Sequence, residues 1–136
     1  QIIFTVSPVR HLKDGFMENQ LSKAKLITAV QEIVALKANC TYFPAYEIMM
    51  DELRDYRFYA EDMVHPNLTA VNYIWKKFQE AWIASKASAV MKEVDTIQKG
   101  LLHRPFNEAS EAHQNFRRDL QQKIEKLEEK LPHIRF

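Results

Sequence analysis

The chain has 136 residues, and its nineteen Lys and Arg residues nearly balance its eighteen Asp and Glu residues. Because no basic patch or stripe is present, we expect no nucleic-acid partner. A single cysteine excludes an intrachain disulfide, and no apolar run reaches the length of a membrane span. With no secretory signal pattern, the sequence predicts a soluble, cytoplasmic protein without a membrane partner; a signal on a longer precursor would lie outside it.

The first half of the chain predicts a βαβ unit. Residues 2–6, IIFTV, are apolar on both faces, which is typical of a strand buried on two sides. A helix is predicted from about Glu18 to Ala38. The aromatic run CTYFPAYEIMM then predicts a second strand. Because Pro44 cannot donate to a central ladder, this strand is predicted to be an edge strand, a bulged strand or a strand broken in two. Cys40, at its start, is expected to be a buried structural thiol.

A polar and aromatic connection, DELRDYRFYAEDMVHPN, follows this unit, and its first residues are compatible with a short helix. A strongly amphipathic helix is predicted after it, from about Leu68 to Ile83. Pro66 suits the first turn of this helix, and Asn67 suits its cap.

After residue 84 the pattern is helical throughout. One helix is predicted over residues 85–102, and Pro105 interrupts the pattern before a last helix from about Glu108 to Leu131. We therefore predict an α/β part over residues 1–84 and a helical extension over residues 85–136. The last helix carries a narrow apolar seam, close to a heptad repeat, formed by Phe116, Leu120, Ile124, Leu127 and Leu131.

The pair with the most chemical content is Asp62 and His65, in YAEDMVHPN. Three residues apart, they would lie on one side of a helical turn, where a carboxylate can hold an imidazole in one tautomer and stabilise the imidazolium. The spacing by itself favours a purely structural interpretation, in which Asp62 caps a helix and His65 is partly buried. The location raises the case for a site, because open α/β sheets bind ligands where a strand leads into a helix.

Two further residues are predicted near this pair. Arg10 and His11 follow the first strand, and parallel strands would place them at the same edge of the sheet as the Asp62 loop. A metal site formed by His11, Asp62 and His65 is an alternative, but no zinc-ligand spacing is present. We therefore predict no metal and no cofactor.

No partner nucleophile for His65 is evident. None of the serines lies in a Gly-x-Ser-x-Gly elbow. Ser7 precedes Pro8, which removes the next backbone N–H as an oxyanion donor, and Cys40 lies at the wrong end of its strand. The chain also has only two glycines, fewer than an enzyme with oxyanion-forming loops usually needs, and it begins inside an apolar run without Met. We therefore expect it to be part of a larger protein.

Several motifs, in order, resemble the C-terminal half of the GSCFA domain family: FTVSPVRH, ENQLSKAKL, YFPAYEIMMDELRDYRFYAEDMVHPN and AVNYIWKKF. The resemblance is close over residues 2–80 and weaker over 85–136, where HRPF and the final helix are similar to the family's tail. The family in turn resembles the SGNH hydrolases, serine esterases with a flavodoxin-like α/β/α sandwich. In that class a D-x-x-H motif supplies the Asp and His of the triad, so the resemblance implies that His65 is the general base and Asp62 its orienting partner.

The resemblance also implies what this chain lacks and what its site contains. The Gly-Ser-Cys-Phe-Ala motif that would carry the nucleophile is absent, so the chain is expected to be an inactive fragment, a partial flavodoxin-like unit with a helical extension. An ester or acyl-sugar is the substrate class expected for the full-length protein. The residues expected to line the site, or to hold its loops in an architectural salt-bridge network, are Arg10, His11, Asn19, Glu47, Arg54, Asp55 and Arg57.

Two expectations concern assembly. Missing neighbouring strands would leave bare sheet edges, which pair readily with another chain, so we predict a homo-oligomer formed through a strand edge or the C-terminal helix. The alternative function is a non-catalytic helical interaction or oligomerisation module, in which the seam of the last helix binds a partner.

Overall fold

The computed structural model describes all residues from Gln1 to Phe136, which form two compact units, Gln1–Trp82 and Ile83–Phe136. The chain is mostly helical with one two-stranded parallel sheet, which is compatible with the predicted α/β class. No helix combines the length and apolarity needed to cross a bilayer. The first unit begins with β1 (Ile2–Phe4), α1 (Gly15–Leu36) and β2 (Cys40–Tyr42). It continues with α2 (Ala45–Glu47) and its π-helical continuation (Ile48–Leu53), a 3-10 turn (Tyr56–Phe58) and α3 (Leu68–Trp82). The second unit contains α4 (Ala87–Leu101) and α5 (Glu111–Lys130).

The predicted βαβ unit is confirmed. β1 and β2 pair in parallel, with Ile2 opposite Cys40 and Phe4 opposite Tyr42, and α1 connects them. The thiol of Cys40 is buried, as expected. Because the strands are parallel, the segments that leave their carboxyl ends start from the same edge of the sheet.

The predicted burial of the first strand and helix is wrong. The strand is shorter than residues 2–6, and Ile2 and Ile3 are 48% and 37% exposed. The sequence predicts one apolar face for this helix, because Leu26, Ile27, Val30, Ile33 and Val34 recur at helical spacing. In α1, however, Leu26 and Ile33 are exposed, and the one buried residue of the helix is Lys23. A two-stranded sheet offers little surface against which such apolar residues could be buried.

The predicted strand beyond Pro44 is also wrong. β2 ends at Tyr42, and the chain then turns into α2 and its π-helical continuation. Pro44 has no backbone N–H for a strand ladder, but its carbonyl accepts a hydrogen bond from Ile48 N at 2.9 Å, which closes the first helical turn. The short helix expected at the start of the next connection is present, because the π-helix continues to Leu53.

In the core of the first unit, the helical segment after Pro44 packs against α3. Phe43 meets Phe78 of α3 edge to face, with ring centroids 5.1 Å apart, and Met49 and Tyr59 pack with the fully buried Ala70. The amphipathic helix predicted here is confirmed by α3, whose Ile74, Phe78 and Trp82 contact this core. The packing fixes the segment that leads into the loop carrying Asp62 and His65.

The second unit is a pair of helices that bury one apolar seam. Ile97 of α4 and Leu120 and Leu127 of α5 form its buried centre. Gly100 allows close approach, because a Cβ atom at this position would lie 2.6 Å from Leu120 Cδ1. The Ser110 hydroxyl caps α5 by accepting a hydrogen bond from His113 N at 3.3 Å. The seam predicted for α5 therefore packs against α4 within the chain, flanked by Val90, Val94, Ile124 and Leu131.

Candidate acid–base site

The predicted pair lies at the tip of a narrow loop. Tyr59 and Pro66 form an antiparallel bridge at its base, and Ala60 N donates to His65 O at 2.7 Å. Within the tip, Met63 adopts the left-handed conformation, with φ of 59°. The expected helical turn is therefore wrong. A residue before proline disfavours the helical region, and an Asp side chain that accepts from the backbone N–H groups two and three residues later competes with a helix.

Asp62 is bonded on both carboxylate oxygens. Oδ1 accepts from the backbone N–H groups of Val64 at 2.8 Å and His65 at 3.0 Å, while Oδ2 lies 2.7 Å from His65 Nδ1. The backbone donors, followed by the imidazole, lower the pKa of Asp62 from 3.8 to about 2. Asp62 is therefore ionised at neutral pH.

His65 is oriented by this carboxylate. Because an ionised Asp62 can only accept, Nδ1 is the nitrogen that carries the proton in neutral His65. Nε2 is then free to take a proton from another group, and the side chain is 61% exposed. Asp62 therefore sets both the tautomer and the direction of the His65 ring.

Asn67 joins the loop to α3. Its Oδ1 accepts from Ala70 N at 3.1 Å, which confirms the predicted cap, and its Nδ2 donates to the carbonyl of Arg57 at 2.6 Å. Pro66 lies before this cap, in the bridge, so its predicted place in the first helical turn is wrong.

Arg10 reaches the loop from the segment after β1. Its backbone N–H donates to Val64 O at 3.2 Å, and its Nη1 donates to Met63 O at 3.3 Å. The guanidinium carbon lies 4.1 Å from the ring centroid of Tyr59, a cation–π contact. The parallel strands thus bring Arg10 to the Asp62–His65 loop, as the sequence predicted.

The family follows from comparison with known sequences. The model of the GSCFA family matches residues 1–78, and that of the GSCFA domain protein, C-terminal domain, matches residues 94–136. The chain belongs to the GSCFA family. No curated protein and no solved structure matches it, so the assignment rests on these two matches, and it confirms the family predicted from the sequence motifs.

Within the GSCFA match, the candidates His11 and Asn19 are hydrogen-bonded to each other. His11 donates its backbone N–H to Asn19 Oδ1 at 2.8 Å, and its side chain is exposed. Asn19 therefore anchors the segment that carries Arg10. The structure contains no group of three or more His, Cys, Asp or Glu side chains arranged to hold a metal ion, so His11 does not join Asp62 and His65 in one.

Three other candidates are bonded to near neighbours. Both oxygens of Glu47 accept from the Tyr42 hydroxyl at 2.9 Å. Burial and this carboxylate raise the pKa of Tyr42.

Asp55 accepts from Arg57 N at 2.8 Å and Arg57 Nη2 at 3.0 Å, and these bonds lower the pKa of Asp55. The Asp55–Arg57 ion pair is exposed and not part of a buried network. Arg54, with φ of 55°, ends the π-helix.

Lys23 is the polar residue of this region that sequence reasoning missed. Only 2% of it is exposed, and its Nζ donates to Ser7 O at 2.6 Å, so it ties α1 to the segment that carries Arg10. Burial lowers the pKa of Lys23. Lysine is rarely buried, but one signal was present: Lys23 continues the helix face of Ile27 and Val30 at spacings of four and three.

No nucleophile accompanies His65 in this GSCFA chain. No serine, threonine or cysteine is hydrogen-bonded to the ring of His65. The Ser7 hydroxyl is occupied in a local turn, where it accepts from Val9 N at 3.2 Å, and Cys40 is buried beside Asn39.

Proposed function

We propose that Asp62 and His65 are the acid–base half of a serine-esterase site of the SGNH type. The observation that carries the proposal is the 2.7 Å contact between Asp62 Oδ2 and His65 Nδ1, made by a carboxylate whose second oxygen is fixed by two backbone N–H groups. Such a pair leaves His65 Nε2 available to remove a proton from a hydroxyl.

The proposed mechanism assigns one role to each residue of the pair. His65 Nε2 takes the proton of a serine hydroxyl while the serine oxygen attacks an ester carbonyl, and His65 then returns the proton to the leaving alcohol. Asp62 stays ionised and stabilises the imidazolium between these steps. We propose that the serine lies outside residues 1–136, and that an ester or acyl-sugar is the substrate class of the complete protein.

The parallel β1–β2 pair joined by α1 supports the proposal that the site lies at the edge of a flavodoxin-like sheet. Parallel strands joined by a helical crossover are the repeating unit of doubly wound α/β folds, whose ligands bind beyond the carboxyl ends of the strands. The Arg10 segment leaves β1 at that end, and its hydrogen bonds to Met63 and Val64 carry the Asp62–His65 loop to the same edge.

A fluorophosphonate probe tests the proposal in a complete gene product that extends beyond these residues. We expect the probe to label a serine outside residues 1–136, identified by mass spectrometry, and His65→Ala to abolish the labelling. The matched control is His133→Ala in the second unit, with circular dichroism to establish that both variants are folded. Labelling that persists in His65→Ala, or that falls equally in His133→Ala, would contradict the assignment. The 136-residue chain alone should not be labelled.

We also propose that this chain self-associates through a strand edge. β1 and β2 pair only with each other, so each has one unpaired edge, and Ile2 at that sheet is 48% exposed. Open edges template pairing with a second copy, and an edge lysine discourages it. Light scattering over a concentration series should show association that Ile2→Lys weakens; a monomer at every concentration would refute self-association.

A further inference from the structure

A small cavity adjoins the Asp62–His65 loop. It has a volume of about 130 Å³ and is bounded by segments from the β1 exit, the π-helix and the 3-10 turn. Arg10 connects it to the loop, because the same side chain bonds Met63 O. The residues that line the cavity are Arg10, Met49, Met50, Arg54, Tyr56 and Tyr59.

The charge of this lining is positive and uncompensated. Arg10 and Arg54 contribute two guanidinium groups, and no carboxylate lines the cavity. The side chain of Arg54 makes no hydrogen bond or ion pair. Asp55, its neighbour in the chain, is bonded to Arg57.

Arg10 is held in place while most of its donors remain unused. Its Nη1 donates to Met63 O, and its guanidinium lies over the Tyr59 ring at 4.1 Å and near the Tyr56 ring at 5.4 Å. A guanidinium has five N–H donors, so Arg10 can still bind a planar or tetrahedral oxyanion through the others.

The backbone at this cavity is unusual. Arg54 and Met63 are the two non-glycine residues of the chain with positive φ, at 55° and 59°. Both adjoin Arg10: one lines the same cavity, and the other accepts its hydrogen bond. Non-glycine residues in this backbone conformation are strained and cluster at functional sites. A glycine would fit position 54 more easily, so an arginine there points to a use for its side chain.

We propose that Arg10 and Arg54 form a binding site for an oxyanion group, a carboxylate, sulfate or phosphate, beside the Asp62–His65 loop. An anion in the cavity accepts charge-assisted hydrogen bonds from both guanidinium groups and neutralises them. If the proposed esterase function holds, on which this step rests, the substrate class is an ester that carries a negative charge near its scissile bond.

Titration of inorganic phosphate into the 136-residue chain tests the site directly. Total ionic strength is kept constant with chloride, and the arginine Nε–H signals are followed by NMR. We expect saturable shifts at Arg10 and Arg54, and about a tenfold or greater loss of phosphate affinity in Arg54→Gln, as for a lost charged hydrogen bond. Arg54→Gly should lose the same affinity while it relieves the positive φ.

Arg135→Gln is the matched control, because Arg135 lies in the second unit, donates to the Ile134 carbonyl and does not line the cavity. Its phosphate affinity should stay within about twofold of the unchanged chain, since only contacts in the cavity supply charge-assisted bonds. Shifts that grow linearly with phosphate, or an equal loss in Arg135→Gln, would mean surface charge screening only and would overturn the site.

A second assay separates this proposal from the esterase proposal. In the complete protein, para-nitrophenyl hemisuccinate should have a lower KM than the neutral para-nitrophenyl butyrate, and Arg54→Gln should remove that difference while kcat is retained. Equal KM values would overturn the charged substrate class. Phosphate binding is unaffected by His65→Ala if the site is as proposed, so a failed fluorophosphonate experiment would refute the esterase and leave the oxyanion site standing.

Discussion

The helix α1 and the helix pair α4–α5 bury their apolar residues to different degrees. The α4–α5 pair covers its own seam, and Ile97 and Leu127 are each 1% exposed. In the first unit, α1 leaves Phe16, Met17 and Leu36 at 77%, 85% and 79% exposure. A helix pair closes a core from neighbouring sequence, whereas a strand–helix–strand unit needs further layers to cover its faces. The Asp62–His65 loop lies in the same unit as α1, whereas the α4–α5 pair forms the other unit.

The largest expected effect concerns the Asp62–His65 loop of the first unit and tests its proposed role. Asn at position 62 can still accept the backbone hydrogen bonds of the loop, but its amide donates toward His65 Nδ1 and imposes the opposite tautomer. In a complete, active protein, Asp62→Asn should lower kcat by about 10⁴-fold, as loss of the orienting carboxylate does in a triad.

The same substitution can be followed in the 136-residue chain by ¹⁵N NMR of the His65 ring. The proton should move from Nδ1 to Nε2 in Asp62→Asn, while the amide signals of α4 and α5 stay unchanged. An unchanged tautomer would refute the orienting role of Asp62.

A matched pair of leucine substitutions tests the difference in burial. Leu127→Ala empties a buried position and should lower the free energy of unfolding of the second unit by about 2–5 kcal/mol. Leu36→Ala changes an exposed leucine of α1 and should alter stability by no more than about 0.5 kcal/mol. Amide hydrogen exchange measures the helices separately; equal effects at the two sites would show that the contrast in burial is wrong.

The third expectation concerns the pH dependence of the loop. Because the folded chain lowers the pKa of Asp62 from 3.8 to about 2, the carboxylate stabilises the folded loop above pH 3.8. That contribution is lost as the pH falls toward 2 and Asp62 is protonated.

Carbon NMR of the Asp62 carboxyl group measures this midpoint. We expect it near 2 in the folded chain and near 3.8 in denaturant, with circular dichroism to show that the chain is still folded at each pH. A folded midpoint near 3.8 would mean that the Val64 and His65 hydrogen bonds do not persist in solution.

The smallest expected effect tests the close packing of the second unit. Gly100→Ala places a methyl group against Leu120, and the overpacking of about 1–3 kcal/mol is partly offset by the helix propensity of alanine. We expect a net loss of about 1 kcal/mol, measured by thermal unfolding. Gly15→Ala is an informative companion, because no heavy atom lies within 4 Å of a Cβ there but φ is 86°. The cost of Gly15→Ala is backbone strain alone. If Gly100→Ala causes no loss of stability, α4 and α5 are less tightly packed than the structure shows.

The long helices were predictable because their signals are local. α3 begins at the cap formed by Asn67, α5 begins after the Ser110 cap, and both carry apolar residues at helical spacing. Predicted ends differ from the observed ones by a few residues. The helical segment after Pro44 was not predictable in this way, because its β-branched and aromatic residues favour a strand and tertiary packing of Ile48 and Met49 against α3 overrides that preference.

The sequence by itself determined the family, the βαβ order and the residues of the Asp62–His65 pair, because motif order and apolar periodicity depend only on neighbours along the chain. Tertiary structure alone decided that Arg10 holds the Asp62–His65 loop through Met63 and Val64. It also decided the burial of Lys23. These features depend on contacts between residues far apart in sequence, and the charge balance of a cavity exists only once the chain has folded around it.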